Sequence, residues 1–363
     1  MWQGRVSRLL FFVGRCDMAA DLNERGRLIL EAIIEDYIES AEPVGSRSVT
    51  RRHQMGLSPA TVRNVMADLE DMGYLVSPHT SAGRIPTEKG YRFYIDSLLQ
   101  VRKLSLRERQ DLERRYHFKG LRVEELLQEA GKALSSISNY TGIVMAPRLA
   151  TTVFRHIEFL RLSQGKILVV FVSQSGLVQN KIIEVDEPIR QDELEKITNM
   201  LNHTLTGKTI QEIKETILDE MSREKALYNQ LLQRALLLSG EALKDELGGQ
   251  VFIEGAFNIM EQPEFADLER MKRLFRAFEQ KSLLVDLLDK SQKAQGVQIF
   301  IGSATEYSEI EGCSLVTSSY SDRQGTIGTL GVIGPSRMPY SMVIPIVDYT
   351  AKLVSQILAI ESE

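Results

Sequence analysis

Residues 43–96 read PVGSRSVTRRHQMGLSPATVRNVMADLEDMGYLVSPHTSAGRIPTEKGYRFYID, and the order of caps, apolar stripes and breakers within them decides the local fold. Ser58 followed by Pro59 marks a helix start: a hydroxyl that caps exposed amides, then a proline at the first helical position, where its missing N–H costs nothing. From Pro59 onward Val62, Val65, Met66 and Leu69 fall at i, i+3, i+4 and i+7, which makes one stripe to bury, while Thr61, Arg63, Asn64 and Asp68 point away from it. Gly73 stops this helix. Tyr74-Leu75-Val76 and Arg84-Ile85-Pro86 then read as short strands joined by the turn-rich segment Ser77–Gly83, a hairpin. Upstream, Ser46 is the expected N-cap of a short helix running through Val49 to about Gln54, with Gly56 as its stop. Further upstream, Leu30, Ile33, Ile34, Tyr37 and Ile38 recur at helical spacing from Asn23 to about Tyr37. Downstream, Thr87 caps a fourth helix that carries Tyr91, Tyr94, Ile95 and Leu98 on one face.

Helix, helix, glycine-containing turn, capped helix and hairpin is the order of a winged helix-turn-helix, whose third helix enters the major groove of double-stranded DNA by its N-terminal part. The chain has a net charge of -5, so it has no global basic field and any nucleic-acid contact must be local. Residues 43–95 supply that locality, with seven basic side chains (Arg47, Arg51, Arg52, Arg63, Arg84, Lys89, Arg92) against four acids (Asp68, Glu70, Asp71, Glu88). Ser58 caps a helix end whose amides and dipole favour a phosphate. Thr61, Arg63 and Asn64 are best placed for base edges, because Arg pairs with guanine O6 and N7 and Asn with adenine. Arg47, Arg51 and Arg52 on the second helix suit phosphates, and His79 and Arg84 on the wing suit an adjacent groove or backbone. The competing reading is a small helical domain whose charged face is merely solvated.

The chain has 363 residues, 43% hydrophobic and 26% charged, which indicates two or three packed units and excludes collagen-like, disordered and small disulfide-stapled classes. After the winged helix, residues 101–119 form a basic helical connector. A helix from about Val123 to Ile137 follows, then strands at His156–Leu162, Lys166–Val172 and Leu177–Val185, with Gly165 and Gly176 at the bends of an antiparallel meander. Residues 192–243 read as long helices, Val251–Ile253 as a strand, and 267–290 as helix. Strands return at Val297–Ile301, Cys313–Ser319 and Thr326–Ile333, before a closing helix at about Ile346–Ile360. A β signal interrupted by a helical block suggests an insertion into one domain.

No enzyme constellation is expected. Ser303, Ser318 and Ser319 lack a GxSxG setting. The five histidines, His53, His79, His117, His156 and His203, show no metal-ligand spacing. Cys16 and Cys313 make neither a zinc site nor a disulfide framework and fit a reducing cytoplasm. Gly325, Gly328, Gly331 and Gly334 recur every third residue without a phosphate-loop pattern, so sheet packing and turns explain them better. No cofactor is called for. Leu9–Val13 is too short for a secretory core and no cleavage site follows directly, and apolar runs elsewhere are broken by charge, so no membrane association is expected. Met18 is read as the natural start. The apolar cluster Leu231, Leu232, Leu236 and Leu238 points to core or to a dimer interface.

The stretch 43–96 resembles the DNA-binding domain of the bacterial heat-inducible transcription repressor HrcA family. The resemblance resumes in Gly255-Ala256-Phe257-Asn258, in Gln262-Pro263-Glu264-Phe265, and in GVIGPSRMPY from Gly331 to Tyr340. It implies an α+β multidomain fold: an N-terminal winged helix-turn-helix and a GAF-like antiparallel-sheet domain interrupted by a mainly helical inserted dimerisation domain. The expected division is an extension at 1–21, disordered or misassigned, the winged helix at 22–100, the connector at 101–119, GAF-like parts at 120–186 and 291–363, and the insertion at 187–290. The resemblance further implies a cytoplasmic homodimer that binds an inverted-repeat operator (CIRCE) before chaperone operons and is helped to its active form by the GroE chaperonin. By the same resemblance, heat would titrate the chaperonin away and relieve repression. The alternative is a metabolite-sensing DNA-binding regulator that uses the GAF-like domain as a ligand pocket.

Overall fold

Helix α1 (Glu24–Ser40) starts where Asn23 accepts a hydrogen bond from the Gly26 amide at 2.8 Å, and it buries Ile29, Leu30, Ile33 and Ile34 completely. The computed structural model describes residues 22–361 apart from 80–82, 116–120, 148–152, 164, 175, 177, 186–188, 210–211, 214–237, 239–249, 293–295, 303–309 and 324. The extension 1–21, the wing tip, the end of the basic connector and Leu231, Leu232 and Leu236 lie outside the described residues.

Helix α2 (Ser46–His53) begins one residue earlier than expected: Gly45 is the N-cap, with no side-chain cap bond, and Ser46 is the first helical residue. The Ser48 and Val49 amides bond the Gly45 carbonyl at 3.0 and 3.2 Å. The helix ends on Gln54 in the left-handed region (φ 41°), ahead of Gly56. Helix α3 (Pro59–Asp71) follows the sequence reading, with Val62, Met66 and Leu69 buried against α1 and α2. Strands β1 (Leu75–Val76) and β2 (Ile85–Pro86) pair antiparallel, and Val44 adds a third partner by exchanging two 2.9 Å backbone bonds with Arg84. Helix α4 (Glu88–Phe93) is capped by Thr87 and runs on into a π turn, Tyr94–Leu98. The connector contains α5 (Leu106–Arg115).

Beyond it lie α6 (Val123–Ser138), β3 (Thr141–Met145), β4 (Phe154–Ser163), β5 (Lys166–Ser173), β6 (Val178–Glu184), α7 (Gln191–Leu205) and β7 (Val251–Glu254). The chain closes with α8 (Leu268–Glu279), α9 (Lys281–Gln292), β8 (Val297–Ile301), β9 (Cys313–Ser321), β10 (Thr326–Pro335) and α10 (Tyr340–Glu361). The strands form two larger sheets. One has the order β7-β3-β10-β9-β8 and is antiparallel throughout; the other is the meander β4-β5-β6. Helices α6 and α10 pack on one face of the five-stranded sheet and α9 on the other. Strand β3 is buried at all five positions because it is covered on both faces. That continuous burial, with no alternation, is why its short apolar run carried no strand signal.

The meander stands outside the five-stranded sheet. The interruption of that sheet therefore lies between Met145 and Val251 rather than at 187–290, since β3 and β7 are hydrogen-bonded neighbours. The sequence pattern identified the strands other than β3 but carries no information about which strands pair. Asn202 on α7 bonds both backbone groups of Ile157 at 2.8 and 3.0 Å, and Gln191 accepts from the Arg161 amide at 3.0 Å. These side chains occupy the edge of β4 that no strand covers.

A Cβ at Gly331 would sit 2.3 Å from the Val316 carbonyl, so close packing within the sheet accounts for this glycine. Helix α10 begins six residues before the expected Ile346, with Pro345 inside it. By length and composition alone it is a membrane-span candidate among the described residues, but half of it is buried, against β9 and α6, as in a core helix.

Cys313 on β9 is 3% exposed, and burial pushes its thiol up to about 12. At pH 8 it is thus both protonated and shielded. Iodoacetamide is expected to leave Cys313 unmodified in the native protein and to modify it in denaturant, as read by peptide mass spectrometry. Rapid native labelling would contradict this packing.

Candidate nucleic-acid interface

The N-terminal half of α3 is built to stay exposed. Ser58 accepts a hydrogen bond from the Thr61 amide at 3.1 Å, and the two hydroxyls lie 2.9 Å apart. The cap therefore satisfies one of the orphan donors of this end and, since Pro59 has no N–H, leaves the Ala60 amide of the first turn for an incoming anion. Pro59 and Ala60 are exposed, Thr61 is half-buried, and Arg63 and Asn64 project into solvent opposite the Val62–Met66–Leu69 stripe. No acid lies in the first turn. Arg47 and Arg51 are exposed on α2, and His79 is exposed on the wing. Among the described residues the side chains of Arg47, Arg51, Arg63, Asn64 and His79 have no hydrogen-bond or ion-pair partner in the fold.

Arg52 and Arg84 differ. Arg52 donates to the carboxylate of Asp36 on α1 at 3.1 Å and lies 3.5 Å from Glu39. His53 meets the same Asp36 oxygen at 3.1 Å. Asp36 is buried, so α2 is fastened to α1 by its last turn, where basic side chains also suit the helix dipole. Arg84 pairs with Glu70 of α3 at 2.7 Å and donates to the Ser77 hydroxyl at 3.2 Å. The other Glu70 oxygen accepts from the Ser77 amide at 3.1 Å. One carboxylate thus ties the far end of α3 to both strands of the wing.

Asp36, Glu70 and Lys89 are residues that the sequence reading did not single out. Lys89 donates to the Met72 carbonyl at 2.7 Å and sits 4.6 Å from the centre of the Tyr74 ring, which neutralises the C-terminal end of α3. Thr87 donates to the Gly73 and Tyr74 carbonyls at 2.7 and 3.1 Å. Only the excess of acids near the end of α3 (Glu70, Asp71) hinted at such partners. The module presents an uncommitted basic and amide-bearing end of α3, with its C-terminal end locked to wing and α4. This arrangement suits insertion of a helix end into a DNA groove, with the second helix and the wing flanking it.

Comparison with known proteins agrees with this geometry. A model described as "Winged helix-turn-helix transcription repressor, HrcA DNA-binding" matches residues 21–97, and one described as "HrcA protein C terminal domain" matches residues 124–344. A heat-inducible transcription repressor HrcA of Geobacter sulfurreducens is 59% identical over 338 residues, covering 93% of this chain and 98% of that one. The protein of the same description from Syntrophobacter fumaroxidans is 44% identical over 341 residues, covering 93% and 98%. A crystal structure of a hypothetical protein, 23% identical, has the same overall fold at a TM-score of 0.58, covering 94% of this chain and 99% of that one. The chain therefore belongs to the heat-inducible transcription repressor HrcA family, with residues 21–97 as its winged helix-turn-helix DNA-binding domain.

Proposed function

We propose that the protein is a cytoplasmic, homodimeric repressor of chaperone operons that binds an inverted-repeat operator of the CIRCE type and depends on the GroE chaperonin to reach its active form. The observation that carries the DNA-reading part is the pair Arg63 and Asn64, exposed and unpartnered on the first turns of α3. In this reading Thr61, Arg63 and Asn64 meet base edges, the Ser58 end meets a phosphate, Arg47 and Arg51 neutralise phosphates, and His79 approaches the neighbouring backbone. Arg52 and Arg84 reach DNA only as part of the surface that they hold in place through Asp36 and Glu70.

The dimer reading rests on the meander. One face of β4-β5-β6 packs Ile157, Phe159, Ile167, Val169, Phe171 and Ile183 inward. The other presents Leu160, Leu168 and Ile182 side by side in register, and Val172 beside Val178. Leu160, Val178 and Ile182 are 41%, 49% and 57% exposed; with Glu158 and Asn180 between their rows they make a mixed face with large exposed apolar side chains, of the kind that marks an interface. We assign the unit between β3 and β7 as the inserted dimerisation domain and the five-stranded sheet with its helices as the GAF-like domain. A subunit lacking its partner shows the meander face to water, which is the surface a chaperonin retains. Among the described residues both faces of the five-stranded sheet are filled by buried side chains, Val144, Leu330 and Val332 on one and Ile143, Met145 and Ile333 on the other, all at 0% exposure, which favours a repressor without a sheet-borne ligand pocket.

Arg63→Ala is expected to cost roughly 1–3 kcal/mol in specific operator binding and to relax preference at one base position, measured by fluorescence anisotropy on single-base variants. Equal losses on operator and random DNA would contradict base reading. Arg51→Ala is expected to weaken both alike and to flatten the salt dependence; an unchanged salt slope would remove Arg51 from the phosphate contacts. Ile182→Glu, at an exposed position that folding does not need, is expected to yield monomers by analytical ultracentrifugation and to lose binding to paired half-sites. A variant that stays dimeric at micromolar concentration would remove this face from the interface.

A further inference from the structure

Two stretches of the C-terminal part, Gly255–Phe265 and Gly331–Tyr340, converge beneath the winged helix. Arg337 lies in the turn between β10 and α10, with its side chain 11% exposed. Its guanidinium pairs with Glu264 and donates to the Gln262 side-chain oxygen at 3.0 Å. It also donates to the main-chain carbonyl of Ile38 at 3.2 Å. The first two acceptors belong to the sheet domain. The third is a last-turn carbonyl of α1, one of the helix-end acceptors that intrahelical bonding leaves over, at the end of the dipole that favours a cation.

Two further contacts join the same bodies. Tyr340 lies against Tyr91 of α4, with ring centres 6.4 Å apart at 59° and both rings buried. Glu88 comes down on Gly302 at the end of β8, where a Cβ would fall 1.7 Å from the carboxylate oxygen. The connector is docked as well: Tyr349 of α10 donates to Glu113 at 2.5 Å, and Arg109 stacks over the Tyr349 ring.

We propose that Arg337 is a positioning residue for operator binding: by joining Ile38 of α1 to Glu264 and Gln262, it fixes the orientation of the winged helix on the sheet domain. In a dimer it thereby fixes the separation and phase of the two reading helices. This rests on the inverted-repeat reading given above. The fork of a guanidinium serves three acceptors in different directions, whereas an ammonium is a single point charge on a flexible stem. Binding of the second half-site is intramolecular, and its effective concentration is high only where the geometry of the protein matches that of the DNA. Half-sites repeat with the turn of about 10 base pairs, so two added base pairs rotate one half-site by roughly 70° relative to the other.

The test uses the full chain and the inverted repeat that it protects in a footprint of its own upstream region, with the spacer lengthened and shortened in single base pairs. The parent is expected to peak at one spacing and to lose at least about tenfold in affinity with two added base pairs. Arg337→Lys and Glu264→Gln are expected to flatten that profile to within about threefold, with affinity for a single half-site unchanged, assayed below the variants' own melting temperatures, which loss of a buried ion pair lowers. Variants that keep the parent's profile, or that lower every spacing equally, would overturn the positioning role. A parent that does not distinguish the inverted repeat from scrambled DNA would sink the operator reading, and orientation is then decided without DNA. A dye on Leu28→Cys, in a Cys16→Ser background, is expected to tumble with the whole molecule in the parent and to gain a fast segmental component in Arg337→Lys, by anisotropy decay. Absence of that component would overturn the latch whatever the DNA result.

Discussion

The pairing of β3 with β7 on one side and β10 on the other is the constraint on which the C-terminal architecture depends. Residues Gly142–Met145 bond Val251–Glu254, and Thr141–Met145 bond Thr329–Ile333. Bringing β3 and β7 together closes a loop of roughly one hundred residues, at an entropic cost of about 4 kcal/mol. Ile143, Val144 and Met145 are all at 0% exposure, and three such side chains at about 2 kcal/mol each exceed it. Ile143 and Met145 enter one hydrophobic cluster and Val144 the other, so a single short strand joins the two sides of the core. The meander is carried as an excursion from this closure, free to present its outer face elsewhere.

What could be read from the sequence follows from the range of the interactions involved. The winged helix was legible almost residue by residue because its determinants are local: the Ser58-Pro59 start, the stripe Val62–Leu69, the Thr87 cap and the turn residues of the hairpin all act within a few positions. The Ser46 cap was misplaced by one because Gly45, Ser46 and Ser48 all suit a helix start and only the backbone decides. In the C-terminal part the strands other than β3 were legible, those of the meander by alternation, but the division into sheets was not. Pairing of Met145 with Val251 is set by contacts a hundred residues apart, and β3, buried on both faces, has no alternation to read. The ion pairs Glu70–Arg84 and Arg52–Asp36 were equally invisible, since no spacing rule relates a helix acid to a wing arginine.

Those ion pairs bear on how an acidic chain reads DNA. Residues 43–95 carry four acids, yet they do not oppose the phosphates uniformly. Glu70 is neutralised by Arg84, and Glu88 faces Gly302 of the sheet domain. Asp68 and Asp71 lie in the C-terminal half of α3; Asp68 is about 10 Å along the axis from Thr61 at 1.5 Å per residue. That is close to the Debye length at physiological salt, so their repulsion at Ser58 and Thr61 is weakened by screening. Local segregation of charge along one helix achieves what the net charge of -5 would otherwise forbid.

The proposed heat response follows from the same connectivity. A sheet assembled from residues 141–145, 251–254 and 297–335 is dominated by non-local pairings, which fold slowly and leave apolar surface exposed meanwhile. The outer face of the meander, with Leu160, Val178 and Ile182, stays exposed even after the subunit has folded. In the proposed dimer, operator binding by two linked half-sites would require two folded subunits, so the competent fraction would fall as at least the square of the folded fraction. A domain of this size keeps only about 5–15 kcal/mol between folded and unfolded states. On that proposal a modest temperature rise, or diversion of the chaperonin to other clients, would deplete the dimer more steeply than the subunit, and repression would be lost without any ligand having to bind.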